Sequence, residues 1–355
     1  MHYRSVVCGL ITGLLLNSSA TGWQDPANAN PANANPANAT PAAGAPAVAG
    51  PTAGADAFPQ TGGTPVAPQM PPGFPLDTNT RNYIEELLTY WENTSNQVTH
   101  YQCQFVRWHY DPEICNYRKP GNNHLVAAEI SRGNIRYRNP DSGMYEVTQK
   151  WNFGGPPDEP GGEAKYVRRK LTNADFPEEE KWICDGESIF EYDYQSKRLY
   201  ELKLPLESRG EGLKNSPLPF MFGATAVELL DRFWIRDVTP ANVQGQYWLE
   251  AWPKRVSDAQ NYSRMEIILT RDPFLPVAVH MYAPNYDEKT KPSRMVFEFE
   301  KREINGALAG LLDPFFIRPS TPFGWKRVER DQTAGADPAR LGQNPASPVA
   351  PGSPR

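Results

Sequence analysis

Residues 181–193 read Lys-Trp-Ile-Cys-Asp-Gly-Glu-Ser-Ile-Phe-Glu-Tyr-Asp, and this stretch decides the fold. Its Asp185-Gly186 pair stands between two short runs of apolar and aromatic residues. Asp-Gly in this setting is typical of a tight turn between antiparallel strands, because glycine adopts the positive φ that such turns require. The stretch therefore predicts a β-hairpin with strands at 180–184 and 188–194.

Apolar and β-branched residues mark further strands on both sides of this hairpin. On the N-terminal side the pattern predicts strands at 98–110, 127–131, 134–138, 143–150 and 165–171, with a turn at Arg132-Gly133. On the C-terminal side it predicts strands at 198–204, 233–238, 246–252, 263–270, 276–282 and 293–302, and a closing segment at 314–328. Alternation along 246–252 puts Trp248 and Trp252 on one face of the sheet and the residues between and before them on the other.

Two helices are predicted among these strands. The first begins at Asp77 or Thr78 and carries an apolar stripe at helical spacing that ends at Trp91. The second begins at Thr225, where Thr-Ala-Val-Glu forms a capping box. About a dozen strands in succession with so few helices exclude a parallel βαβ fold. The predicted fold class is mainly β: a large curved antiparallel sheet, an incomplete β-barrel, covered by short helices and preceded by a disordered leader.

The two ends of the chain differ in composition from its middle. Residues 1–22 have a positive charge at Arg4, an apolar run over 6–16 and small residues at 18–20, which together predict a signal peptide. Residues 23–75 are rich in Pro, Ala and Asn and predict a disordered linker, and 331–355 predict a disordered tail. The folded domain is therefore expected at 76–330, in a protein exported to the periplasm or cell envelope.

Charge and motifs argue against several classes of function. The net charge is -5, so a general affinity for phosphate backbones is not expected, and we interpret the short basic runs at 168–170 and 326–327 as solvated strand faces. No His or Cys pair has the spacing of a zinc site, and no Gly-x-Ser-x-Gly elbow is present. The acidic runs at 178–180 and 287–288 fit solvated loops better than an acid–base pair. We predict a monomeric non-enzyme with no catalytic residue, metal, cofactor or nucleic-acid partner.

Removing the leader leaves three cysteines, Cys103, Cys115 and Cys184. An odd number excludes a complete set of disulfides within one chain. One bridge, Cys103–Cys184, is possible because both residues are predicted on strands of one sheet. Three buried thiols that pack as small apolar residues are the alternative.

Several segments, in the same order along the chain, resemble the outer-membrane lipoprotein carriers of the LolA type. The hairpin at 181–193 looks like the family's strand–Asp-Gly–strand unit, and Ile-Arg-Tyr-Arg-Asn-Pro-Asp-Ser-Gly-Met-Tyr at 135–145 looks like its strand–Pro turn–strand unit. The segments at 216–223, 274–276 and 315–319 fit later parts of the family pattern. The resemblance spans 76–330, and it is closest to a family of uncharacterised exported bacterial proteins with an Ala/Pro-rich leader. Arg107 departs from the pattern, since the family commonly has Phe-x-Gln where this chain has Phe-Val-Arg.

The resemblance implies an apolar hollow that takes acyl chains and a carrier or sensor of lipid or lipoprotein. Strand positions suggest eight candidate liners of the hollow: Phe105, Trp108, Trp182, Phe190, Tyr192, Phe220, Phe222 and Trp248. Aromatic residues make up 11% of the chain, and the alternative is that they form a filled core between sheet and helices. A protein-interaction module of an envelope complex, with a membrane protein as its partner, is the second hypothesis. A hydrolase of envelope polymers is the third.

Overall fold

The computed structural model describes residues 67–121, 123–159, 162–171, 176, 178–204, 224–307 and 315–330. This part of the chain forms thirteen strands in one sheet, together with three helices. The helices are α1 (Thr78–Ser95), α2 (Ala226–Arg232) and α3 (Val256–Ala259). The strands are β1 (His100–Tyr110), β2 (Glu129–Arg138), β3 (Ser142–Gly155), β4 (Lys165–Arg168), β5 (Glu180–Asp185), β6 (Ser188–Asp193), β7 (Arg198–Lys203), β8 (Phe233–Asp237), β9 (Gln246–Pro253), β10 (Arg264–Thr270), β11 (Pro276–Tyr282), β12 (Arg294–Ile304) and β13 (Lys326–Arg330).

The strand order is β13-β7-β6-β5-β3-β2-β1-β12-β11-β10-β9-β8, with β4 paired to β3 beyond the end of β5. Among the described strands, β8 and β13 lie at the two ends of this order, so the sheet is not closed. The predicted mainly β class, with an incomplete barrel, is confirmed. The sheet is mixed, however, because β13 pairs with β7 in parallel while the other pairs are antiparallel. This one parallel pair departs from the predicted antiparallel sheet, since β13 does not follow its neighbour through a hairpin.

Two further elements differ from the sequence prediction. Arg132-Gly133 is not a turn but an irregularity within β2, where Gly133 pairs with Phe105 on one side and Val147 on the other. A Cβ at Gly133 would lie 1.9 Å from the Glu146 carbonyl oxygen and 2.8 Å from the Phe105 ring, so the position requires glycine for space. The short helix α3 was not predicted from the sequence.

Both predicted helices are present and begin where their caps indicate. The Asp77 carboxylate accepts a hydrogen bond from the Thr80 amide at 3.0 Å at the start of α1. At the start of α2 the Thr225 hydroxyl accepts from the Glu228 amide at 3.2 Å, and the Glu228 carboxylate accepts from the Thr225 amide at 2.6 Å. This reciprocal pair satisfies backbone donors that the first turn of a helix leaves without partners.

The sheet has one face that packs against α1, which we call the helix face, and an opposite outer face. The main core lies on the helix face, where the buried stripe Ile84, Leu87, Leu88 and Trp91 of α1 joins side chains from most of the strands in one apolar cluster. In β9, Leu249 and Ala251 point into this core, and Trp248 packs on the outer face against Ile268. The alternation predicted for this strand is confirmed.

A second core lies on the outer face of β5, β6 and β7. It contains Ile183, Phe190 and Leu199 together with Trp325, which belongs to the segment before β13. The Arg138 guanidinium lies over the ring of Phe316 at 5.1 Å, so the segment from 315 to 325 covers this outer face before the chain enters the sheet as β13.

The predicted signal peptide, most of the linker (residues 23–66) and the tail at 331–355 lie outside the described residues. The last part of the predicted linker, 67–75, is described, and its Pro72 carbonyl oxygen accepts a hydrogen bond from Arg236 at 3.0 Å. A search of the described helices finds none with the length and apolar character of a membrane span.

Candidate ligand-binding face

Three aromatic rings form a continuous stack across the helix face. The Phe105 and Tyr145 ring centres are 5.0 Å apart with planes 15° from parallel, and Tyr145 and Trp182 are 5.4 Å apart at 14°. Register explains the stack: Tyr145 pairs directly with Trp182, and the ring of Phe105 reaches Tyr145 over Gly133 of the intervening strand. Offset stacking of this kind adds about 0.5–1.5 kcal/mol per pair beyond the burial of apolar area.

Burial decreases along this stack toward β13. Phe105 and Tyr145 are 1% and 4% exposed, whereas Trp182 is only partly buried. Beyond Trp182 the same row of the sheet continues through Glu191, Tyr200 and Val328. Tyr200 and Val328 are half-buried, and Glu191 is exposed. Two apolar side chains, Tyr200 and Val328, therefore lie on the helix face beyond the closed core, on the far side of the exposed carboxylate of Glu191.

Two buried indole groups on the helix face donate no hydrogen bond within the described part of the chain. They are the Nε1 atoms of Trp91, on α1, and Trp182, at the end of the stack. Leaving a buried donor without a partner costs about 1–3 kcal/mol. Of the two, Trp91 is enclosed in the main core at 1% exposure, whereas Trp182 is at the partly buried end of the stack.

A charged cluster adjoins the aromatic stack on the same face, centred on Arg107. The Arg107 guanidinium donates to the Tyr145 hydroxyl at 2.9 Å, to Glu180 at 3.0 and 3.1 Å, to Glu129 at 3.2 Å and to Ser131 at 3.1 Å. The Lys150 ammonium is also paired with Glu180 and lies 3.6 Å from Glu129. Two cations thus face two carboxylates, which satisfies the condition under which a buried charge is tolerated.

Arg107 also affects the titration of a neighbouring histidine. Burial lowers the pKa of His109, and the positive charge of Arg107 lowers it further. His109 and Arg107 lie on the same face of β1 because they are two residues apart. At neutral pH the imidazole is therefore expected in its uncharged form.

The eight predicted liners do not meet in one place. Phe105 and Trp182 lie on the helix face, in or against the main core. Phe190 and Tyr192 belong to the outer-face core with Ile183, and Trp248 belongs to another outer-face cluster. Trp108 pairs with Val296 and Ile130 and also projects from the outer face. Phe220 and Phe222 lie outside the described residues. Tyr145 and Arg107, which sequence reasoning did not select as site residues, join the helix-face pair.

The three cysteines of the described chain are free and buried, so the predicted Cys103–Cys184 bridge is wrong and the alternative of buried thiols holds. Strands β2 and β3 lie between β1 and β5, which separates the two residues by three strand spacings, about 14 Å. A disulfide requires Cα atoms about 4.4–6.8 Å apart. Burial raises the pKa of both thiols to about 12.

The acidic runs noted in the sequence are engaged in local structure. Asp287 accepts from the Thr290 and Lys289 amides within its own turn. Glu178 accepts from Lys181 at 3.0 Å, and Glu180 belongs to the Arg107 cluster. Within the described residues, no group of three or more His, Cys, Asp and Glu side chains is arranged to hold a metal ion.

Comparison with known proteins gives similarity at the level of structure only. No protein-family model matches the chain, and no curated protein matches it. The chain is similar in structure to LolA superfamily proteins. One from Nitrosomonas europaea is 9% identical, with a TM-score of 0.29 over 66% of this chain and 97% of that one.

Two other solved structures are similar to a comparable degree. An uncharacterized conserved protein from Thermus thermophilus is 9% identical, with a TM-score of 0.37 over 70% of this chain and 99% of that one. The lipoprotein LppX of Mycobacterium tuberculosis is 8% identical, with a TM-score of 0.31 over 62% and 95%. Because each of these TM-scores is below 0.5, the proposals that follow rest on the residues of this chain.

Proposed function

We propose that this chain is a non-catalytic binding protein of the cell envelope that holds an acyl chain of a lipid or lipoprotein on its helix face. The observation that carries the proposal is the graded burial along the row from Tyr145 through Trp182 to Tyr200 and Val328. Glu191 stands in this row, but Tyr200 and Val328 leave half-buried apolar side chains beyond it, outside the closed core.

The energetics of such a surface favour a long aliphatic ligand. Burying one methylene group contributes roughly 0.8 kcal/mol, so a chain of about ten carbons lying on this row would gain several kcal/mol after the cost of ordering it. The indole N–H of Trp182, which has no acceptor among the described residues, would donate to an oxygen at the polar end of the same molecule. The export that residues 1–22 predict would bring the domain into contact with lipids of the envelope.

A first experiment asks whether the chain carries such a molecule. The full chain would be purified without detergent, measured by native mass spectrometry and then extracted with solvent. We expect a bound mass that leaves on extraction and is identified as a fatty acid, phospholipid or acylated peptide. A bare protein mass that also stays unchanged after lipid is added would refute the proposal.

A second experiment tests the position of the ligand through tryptophan fluorescence. A dibrominated fatty acid quenches indoles that it contacts, so the wild-type chain should lose part of its emission on titration. Trp182→Phe should remove most of the quenchable part, and Trp182→Ala should weaken binding by about tenfold or more because it removes the end of the stack. Trp248→Phe is the matched control, since Trp248 lies on the outer face and its indole already donates to Gln246 at 3.0 Å. Equal loss of quenching in the two Phe variants would contradict binding on the helix face.

A protein-interaction module is the second candidate function. It is favoured by the exposed apolar side chains of the segment that covers the outer face: Phe315, Ile317 and Phe323 are 40%, 64% and 106% exposed. A chain that binds no lipid in the first experiment, but whose Ile317→Asp/Phe323→Asp variant loses a purified membrane partner, would favour this candidate instead.

A further inference from the structure

A notch interrupts the sheet where two strands share one neighbour. Strand β3 pairs with β5 through its first half, as far as Val147, and with β4 through its second half, from Trp151 onward. The Arg169 amide donates to the Lys150 carbonyl oxygen at 2.8 Å, and the Glu179 amide donates to the Val147 carbonyl oxygen at 2.6 Å. Between these two points a cleft lies beside β3.

This cleft is of ligand size, and its charged side chains are mostly cationic. Its volume is about 540 Å³, within the range of roughly 300–1,000 Å³ that small-molecule sites occupy. We call it the basic notch; it is lined by Thr148, Gln149, Lys150, Arg168, Arg169, Lys170, Leu171 and Glu179. Four of these side chains are cations and one is a carboxylate, in a chain whose net charge is -5.

Three of the cations have no acidic partner within the described part of the chain. Lys150, at the base of the notch, is held by Glu180 and Glu129. By contrast Arg168, Arg169 and Lys170 are exposed and form no ion pair with a described residue. Arg168 is the last residue of β4, and Arg169 and Lys170 follow it along the cleft, so this run is exposed as a solvated strand face would be.

We propose that the basic notch binds a phosphate-type anionic group, and that this group is the headgroup of the amphiphile whose chain lies on the helix face. The inference rests on the proposed function and adds the chemical class of the headgroup. Guanidinium groups match phosphate oxygens with paired, charge-assisted hydrogen bonds. Apolar side chains also stand at the edge of the notch, since Leu171 lines it and Val167, on β4, is 63% exposed.

The Arg107 cluster connects the two parts of this site. Lys150 belongs both to the cluster and to the notch, and Arg107 donates to the hydroxyl of Tyr145 in the aromatic stack. A molecule with an apolar chain against Trp182 and an anionic end at Arg169 would cross this balanced pair of cations and carboxylates. Because the charges of the cluster sum to zero, it gives no net attraction for the anionic group, and the three cations that pair with no described residue would select it.

The test compares ligands that differ only in the headgroup. Decyl phosphate, decanol and inorganic phosphate would each be titrated calorimetrically into the full chain. We expect decyl phosphate to bind about tenfold more tightly than decanol, and the difference to shrink as salt is raised, since exposed charges are screened. The variant Arg168→Gln/Arg169→Gln/Lys170→Gln should bind decyl phosphate no better than decanol while its affinity for decanol is unchanged. The control Lys119→Gln/Lys289→Gln/Lys291→Gln removes the same charge from exposed positions elsewhere and should leave all three affinities unchanged.

The outcomes separate the two proposals. If decanol binds but decyl phosphate binds no more tightly, or if the control variant loses as much affinity as the notch variant, the notch proposal is overturned and acyl-chain binding stands. If neither decyl ligand binds, the proposed function fails. If inorganic phosphate then binds and the notch variant abolishes it, the source is free phosphate, and the headgroup assignment is overturned.

Discussion

Replacing Glu201 by Gln should loosen the C-terminal strand from the sheet. Glu201 is completely buried, yet its carboxylate accepts from Arg327 at 2.7 Å and from Arg318 at 2.5 Å, both of which lie in the segment that covers the outer face and enters β13. Removing one partner of a fully buried ion pair costs about 3–5 kcal/mol. The Arg318 and Arg327 side chains are 47% and 25% exposed and can regain water, so we expect a smaller loss, about 2 kcal/mol of unfolding free energy.

The pH dependence of this effect has a definite sign. Burial alone would raise the pKa of Glu201, but the hydrogen bond and charge of Arg327 and the charge of Arg318 outweigh it and hold the pKa below its ordinary value of 4.5. A carboxyl with a lowered folded pKa contributes stability that is fully present above its unfolded pKa and is lost as pH falls through the folded pKa. The difference in unfolding free energy between wild type and Glu201→Gln should therefore be constant from neutral pH to about pH 5. It should shrink below pH 4.5.

The assay is urea unfolding of the full chain at about pH 7 and about pH 3.5, on either side of that window, followed by tryptophan fluorescence, which includes Trp325 in the outer-face core. Glu329→Gln is the matched control on the same pair of strands, because Glu329 pairs with Lys203 through side chains that are 55% and 45% exposed. Exposed pairs of this kind contribute below about 1 kcal/mol. The reasoning is refuted if Glu201→Gln lowers the unfolding free energy no more than Glu329→Gln does at neutral pH. It is also refuted if the loss caused by Glu201→Gln grows as the pH is lowered.

Two other predictions follow from contacts on the helix face. Gly133→Ala should destabilise the domain by about 1–3 kcal/mol, because the alanine Cβ would overlap the Glu146 carbonyl oxygen and the Phe105 ring. Urea unfolding measures this, and an unchanged unfolding midpoint would contradict the tight contact. Cys103 and Cys184 should resist iodoacetamide at about pH 8 in the native state and react once the chain is unfolded, because burial raises the pKa of both thiols to about 12. Peptide mapping measures this. Alkylation of the native chain at the rate of a free thiol would be inconsistent with their burial.

Most strands could be predicted because their signals are local. Asp185-Gly186 fixes the β5–β6 hairpin, and the period-two pattern of β9 assigns its faces without any knowledge of its neighbours. Gly133 misled the prediction for the same reason: Arg132-Gly133 has the composition of a turn. Glycine is required at this position for another reason: the Phe105 ring of strand β1 occupies the space that a side chain at residue 133 would fill.

The candidate site was less predictable because it depends on register between strands. Trp182 and Phe190 lie on the two arms of one hairpin, and both are large and aromatic. In the observed register Ile183 pairs with Phe190 and Trp182 pairs with Glu191, which places the two aromatic side chains on opposite faces. A shift of one residue would reverse this outcome, and no single strand pattern carries that information. The parallel pairing of β13 depends on contacts that are even more distant in the sequence.

During synthesis, strand β7 is made long before β13, the strand that pairs with its outer edge. Its free edge presents unpaired amide and carbonyl groups from the moment Lys203 is made until Lys326 follows, and such an edge is a template for pairing with another chain. Export in an unfolded state, or a factor that shields the edge, would prevent this pairing between chains during the interval. A translation stop between these two residues should accordingly yield a fragment that self-associates rather than a smaller soluble domain.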